Sequence, residues 1–133
     1  MADMSKLLEQ ARRAADASYS PYSHFRVGAA LLCKDGTIIT GTNVENRSYG
    51  LTICAERSAI FSAVSTGRKD FEAIAISTPD SGPAVAPCGA CRQVISEFVG
   101  EDFPVVFAGR EQRLDTTIGD LYPYDSLQDL GRR

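Results

Sequence analysis

Three cysteines and one glutamate stand at spacings that suit metal chemistry. Cys54-Ala55-Glu56-Arg57 offers a thiol and a carboxyl, and Pro87-Cys88-Gly89-Ala90-Cys91 offers two further thiols. Cys88 and Cys91 are separated by two residues, so on a helix both side chains leave the same face. Pro87 suits the start of such a helix. Three thiolates can hold zinc and leave a tetrahedral site one ligand short. A structural zinc site closes with four protein ligands, whereas a catalytic one keeps the fourth place for water or substrate. Glu56 follows closely enough on Cys54 to handle protons at that place. A lone glutamate in the first turn of a helix would simply favour the helix dipole. Beside a three-thiol set, proton transfer is the stronger reading.

Composition narrows the classes that this chemistry can serve. The 133 residues fit one domain spanning 1–133 and can bury a real core. No apolar run approaches the ~20 residues of a membrane helix, and Met1-Ala2-Asp3-Met4-Ser5-Lys6 has no signal-peptide pattern. A cytoplasmic location is therefore expected. Net charge is −3, and no Lys/Arg cluster stands out except Arg132-Arg133. A nucleic-acid partner would call for a basic patch, so the balance favours a small-molecule substrate. Four cysteines could form two disulfides, but in a reducing compartment Cys-x-x-Cys reads as metal-binding or redox-active. The redox reading leaves Cys54 and Glu56 without a role.

Two other residues could close the metal site. Cys33 lies inside an expected strand with no ligand partner at short spacing, and free buried cysteines are common in cores. His24, the single histidine, sits in a Pro-Tyr-Ser context and reads as a loop residue. Closure by either would make the chain a structural zinc module for protein contacts.

The elements that must position these groups follow from periodicity. Leu7, Leu8, Ala11, Ala14, Ala15 and Ser18 form a helical stripe over residues 5–19, ended by Ser20-Pro21. Residues 25–33 read as a strand, Asp35-Gly36 as a hairpin turn, and residues 38–44 as the returning strand. A helix is expected over 54–65, closed by Thr66-Gly67. A strand follows over 71–77, then a loop over 78–86 and a helix over 88–99. Strands over 104–108 and 113–118 come next, and the tail over 119–130 holds short helical turns around Pro123. Strands alternating with helices, after an initial hairpin, predict a mixed sheet with helices on both faces.

Cys-Ala-Glu followed by Pro-Cys-x-x-Cys resembles the zinc-dependent nucleoside and nucleobase deaminases. Residues 21–30, Pro-Tyr-Ser-His-Phe-Arg-Val-Gly-Ala-Ala, and Asn43-Val44-Glu45-Asn46 sharpen the match to short, three-cysteine cytidine deaminases over nearly the whole chain. The resemblance implies a three-layer α/β/α fold with a mixed sheet of about five strands. It implies one Zn²⁺ per chain on Cys54, Cys88 and Cys91, with Glu56 as proton carrier. Deamination of cytidine or deoxycytidine to the uridine nucleoside, in pyrimidine salvage, is the implied reaction. Asn43 and Glu45 match residues that bind the ribose hydroxyls, Phe25 one that packs on the pyrimidine, and Ala55 falls in the substrate-binding set. Arg57 is expected to support the ligand sulfurs, offsetting the surplus negative charge of three thiolates on one Zn²⁺. A homotetramer with shared sites is implied, Tyr49 matching a position that can reach a neighbouring subunit. The family's usual tail phenylalanine is absent from Leu121-Tyr122-Pro123-Tyr124, leaving Tyr124 as the candidate lid. Deaminases of blasticidin S share the zinc motifs and the asparagine but lack the glutamate of Asn-x-Glu. Deaminases of free bases and of deoxycytidylate typically carry histidine in place of Cys54.

Overall fold

The computed structural model describes residues 3–126. Helix α1 (Met4–Ala14) starts at Asp3, whose carboxylate accepts hydrogen bonds from the Ser5 and Lys6 N–H groups at 3.1 and 3.2 Å. Those are two of the donors a helix start leaves unpaired. The helix tightens into a 3₁₀ turn over Ala15–Ala17, and Ser18 then leaves the helical region at ψ 139°. Tyr19 therefore belongs to no helix. It forms a parallel bridge with Val44, its N–H donating to Asn43 O at 3.1 Å.

Five strands follow in the sheet order β2-β1-β3-β4-β5: β1 Gly28–Cys33, β2 Ile38–Thr42, β3 Phe71–Ser77, β4 Pro104–Ala108 and β5 Arg113–Thr117. The β1–β2 hairpin turns at Gly36, whose φ of +89° is open to glycine and rare for other residues. β1 also pairs antiparallel with β3, β3 runs parallel to β4, and β4 pairs antiparallel with β5. The parallel pair needs a crossover, and α3 (Gly89–Phe98) supplies it. Helix α2 (Ala55–Ser65) links β2 to β3, and the one-turn α4 (Ile118–Leu121) follows β5.

Alternation along the strands sorts the two faces. Ala30, Ala73 and Ala75 face α1, packing with Leu7 and Ala11. Ala29, Leu31, Ile74 and Ile76 face the other way, into a core shared with Ala59 and Ile60 of α2 and Ile95 of α3. Alanines on one side let a single helix lie close, and larger aliphatics fill the space beneath two helices. The mixed sheet between helical layers is the expected architecture.

Two strand boundaries also differ from the sequence reading. Residues 25–27 lie outside β1 because their N–H groups are taken by side chains. Arg26 N donates to Asp80 Oδ2 at 2.8 Å and Val27 N to Asn43 Oδ1 at 3.0 Å. β2 ends at Thr42, after which Val44 bridges Tyr19 and Ile53 instead of continuing the sheet. In the tail, the expected turns over 119–126 include α4, and the rest of that expectation, with Arg132-Arg133, falls outside the described residues.

The seat of α2 depends on one glycine. A Cβ on Gly41 would lie 2.5 Å from Ala59 N and 2.6 Å from Ala55 O, so the helix backbone rests directly on β2. Gly41→Ala must push that helix away, with a loss of about 1–3 kcal/mol as in overpacked cores. Because Cys54 and Glu56 ride on the same helix start, metal content should fall with stability. Denaturant unfolding together with zinc analysis checks both effects.

Candidate metal centre and substrate cavity

Both metal-binding stretches end up at helix starts. Cys54 is the N-cap of α2 and Cys88 that of α3, while Cys91 lies on the first turn of α3. The free N–H groups and partial positive charge there favour thiolate over thiol. The sulfurs of Cys54, Cys88 and Cys91 all lie within 4.8 Å of one another, the Cys54–Cys88 pair at 3.8 Å. These cysteines are free, with no disulfide among the described residues. They form the only cluster of its kind found among the described residues. Cys33 is buried in the core shared with α2, and burial pushes its thiol pKa up. His24 is an exposed loop residue with φ +57°.

The donor set fits zinc. The three thiols are of the softness zinc prefers and leave a place open. The Cys54 thiol is drawn down to about 5, first by a hydrogen bond from Cys91, with Arg57 and Cys88 adding to it. Cys91 is pushed up, first by that same bond to Cys54 and then by burial. Arg57 Nη2 donates to Cys54 Sγ at 3.2 Å, and its guanidinium is held charged by that sulfur. Arg57 Nε is buried without a hydrogen-bond partner among the described residues. A fixed positive charge packed against the sulfurs is what an over-negative three-thiolate site needs.

A cavity of about 200 Å³ opens beside the cluster. Cys54, Cys88 and Glu56 line one side, with Ala55 between. Glu56 is only 4% exposed, and burial raises its carboxyl to about 7, helped by the neighbouring Cys54 sulfur. A carboxyl tuned to that value can both hold and release a proton near neutrality. The rest of the lining is mainly apolar, built from Phe25, Val27, Ile53, Ile76, Val85 and Ala86. Asn43 and Thr78 add polar edges. The cavity lies past the carboxyl end of β3, where open α/β sheets tend to bind ligands.

Asn43 holds the Phe25 wall in place. Its Nδ2 donates to Phe25 O at 2.8 Å, while its Oδ1 accepts from Val27 N. From the far side, Arg26 grips Asp80 with both its backbone N–H and its guanidinium, which holds the Asp80 carboxyl down at about 2.

The remaining expected site residues lie apart from this cavity within one chain. The Glu45 carboxylate accepts from the Tyr22 and Ser23 N–H groups, each at 3.1 Å, and from the Ser23 hydroxyl. Tyr49, in a 3₁₀ turn over Tyr49–Leu51, is 75% exposed and meets Tyr22 edge-on. Tyr124 is 88% exposed. Sequence reasoning had not singled out Val27, Thr52, Ile53, Ile76, Thr78, Val85 or Ala86 as wall residues. Ile76 and Thr78 carried a usable signal, standing at the carboxyl end of an apolar strand. Val85-Ala86 carried only an apolar pair in a loop.

A mixed sheet carrying three thiols and a buried carboxyl at two helix starts defines a zinc-dependent hydrolase of the deaminase class. A family model described as "Cytidine and deoxycytidylate deaminase zinc-binding region" matches residues 1–107, and the chain belongs to that family. The chain is 48% identical over 122 residues to a cytidine deaminase from Sporosarcina psychrophila, covering 91% of this chain and 89% of the relative. A crystal structure of cytidine deaminase from Burkholderia pseudomallei superposes with a TM-score of 0.86 at 45% identity, covering 92% of this chain and 98% of that one. A blasticidin-S deaminase from Bacillus cereus is 38% identical over 125 residues, covering 89% of this chain and 88% of its own.

Replacing any one of Cys54, Cys88 and Cys91 by serine should reduce bound zinc from one equivalent per chain to a small fraction. Cys33→Ala should leave the zinc content unchanged. Elemental analysis of the purified variants distinguishes the three ligands from the core thiol.

Proposed function

We propose that this chain catalyses the zinc-dependent hydrolytic deamination of cytidine and deoxycytidine, releasing ammonia and the uridine nucleoside. The observation that carries the reading is the buried Glu56 carboxyl lining a cavity beside three clustered sulfurs. When bound by Cys54, Cys88 and Cys91, zinc supplies Lewis-acid polarisation and makes water acidic enough to react near neutrality. Glu56 accepts the proton lost by the attacking water and delivers it to N3 of the pyrimidine, then takes the remaining proton of the hydroxyl added at C4 and gives it to the amine, which departs as ammonia. Its raised pKa lets one carboxyl serve both directions. Phe25, Val27 and Ile53 exclude water and pack on the base. Asn43 donates towards a sugar hydroxyl, and Glu45 accepts from one. Arg57 stays charged against the sulfurs and holds Cys54 in place.

The glutamate of Asn43-Val44-Glu45, which deaminases of blasticidin S lack, supports the simple nucleoside. A panel of cytidine, deoxycytidine, cytosine, deoxycytidylate and blasticidin S tests this directly. Turnover of the two nucleosides is expected; turnover confined to any of the others would replace the reading. Glu56→Gln preserves shape but removes the proton carrier. Its zinc content and nucleoside binding should persist while kcat falls at least ~10²-fold. Near-normal turnover in that variant would take Glu56 out of the mechanism.

The same reading extends to assembly and setting. Tyr49 and Leu51 present 75% and 72% of their surface, and Tyr124 88%. Exposed aromatic and apolar side chains beside a site this open are suited to an interface. A homotetramer with shared sites, acting in cytoplasmic pyrimidine salvage as one domain, accommodates them. Light scattering should give about four times the 14.3 kDa chain mass, and Tyr49→Ala should weaken activity. A fully active monomer would overturn the assembly. A tetramer indifferent to Tyr49→Ala would keep the assembly and discard that residue's part in the site.

A further inference from the structure

Asn43 is the polar residue on which the cavity wall hangs, and its own orientation is set from outside the cavity. Its amide has four hydrogen-bonding valences: two lone pairs on Oδ1 and two N–H bonds on Nδ2. Val27 N can only donate, so it fixes the oxygen; Phe25 O can only accept, so it fixes the nitrogen. The second oxygen lone pair accepts from the hydroxyl of Ser18. Three valences are thus used among the described residues, and one N–H remains. The residue that supplies the third bond lies just past the 3₁₀ turn that follows α1, twenty-five positions earlier in the chain.

We propose that Ser18 is a positioning residue for substrate selection, which locks Asn43 so that it offers the ligand one N–H donor and no acceptor. This rests on the nucleoside deaminase reading above, in which that donor meets a sugar hydroxyl oxygen. Without Ser18, one lone pair on Oδ1 has no protein partner in a residue that is 8% exposed. The amide can then tilt to seek another donor, and the remaining N–H loses its direction. The backbone pairing at this point rests on main-chain bonds, with the Ser18 hydroxyl adding only a long contact to Asn43 O at 3.5 Å. Tyr19 N donates to Asn43 O at 3.1 Å and Glu45 N to Tyr19 O at 2.9 Å, with or without it. Ser20 Oγ, 3.1 Å from Ser18 Oγ, completes the local network from the solvent side.

Steady-state kinetics of Ser18→Ala on cytidine and on 2′,3′-dideoxycytidine tests the assignment. One neutral hydrogen bond corresponds to about a five-fold effect. KM for cytidine should rise about that much with kcat within two-fold, while KM for the dideoxy nucleoside stays put. On an Asn43→Ala background the same substitution should add nothing, and Ser18→Thr should restore discrimination between the two substrates. Equal losses on both substrates, or an additive loss on the Asn43→Ala background, would overturn the proposal. So would a collapse of Tm and zinc content in both Ser18 variants, which would make the residue structural. A wild-type protein that fails to deaminate cytidine at all would instead overturn the functional reading beneath it.

Discussion

Holding three cysteine sulfurs within 4.8 Å of one another, from two separate helices, is the constraint on which the rest of this structure depends. Thiolates at that distance repel, so the surroundings must favour negative charge. Two helix starts do so with their free N–H groups, and Arg57 does so with a guanidinium against Cys54. The geometry then passes to the sheet. α2 lies on β2 with no room for a side chain at Gly41, and α3 is fixed by its role as crossover between the parallel strands β3 and β4. Arg92 adds a further tie, its Nε donating to Pro87 O and its Nη1 to Leu121 O, each at 2.8 Å. The loop just before Cys88 is thereby anchored to α4.

Burial beside the sulfurs does the second task. Glu56 lies on the same helix turn as its metal neighbour Cys54, yet the two ionise in opposite senses. Hydrogen bonds pull Cys54 down, whereas removal from water pushes Glu56 up. The result is a thiolate ready for metal next to a carboxyl that can still carry a proton. The apolar walls that produce this effect are the ones available to enclose a flat base. Their placement depends on side-chain bonds to backbone at Asn43 and Asp80, which draw residues 25–27 out of β1 and across the cavity.

Much of this was legible before any coordinates. Helical and alternating periodicities located each element to within a few residues, because burial on one face imposes them locally. Boundaries were misplaced where side chains compete with the sheet for backbone donors, as at Arg26 and Val27, since no local pattern announces partners 54 and 16 positions away. The thiol set and Glu56 were legible because their chemistry demands particular residue types at short spacing. Val85, Ile76 and Thr78 were not, because an apolar or small polar wall residue has no signature until a cavity exists beside it.

By itself, then, the sequence determined the metal-binding residue types, the proton carrier, the order of helices and strands, and family membership through motifs that run along the chain. Each of these is a local property, readable from neighbours a few positions apart. Only the tertiary structure decided that Cys54 meets Cys88 across 34 positions, that Cys33 is left in the core, and that Glu45 rests on Tyr22 and Ser23. It alone raised Glu56 to about 7, because desolvation is a property of everything packed around a group. It alone left Asn43 with a single free N–H, because hydrogen-bond valences are consumed by partners that only folding brings within reach.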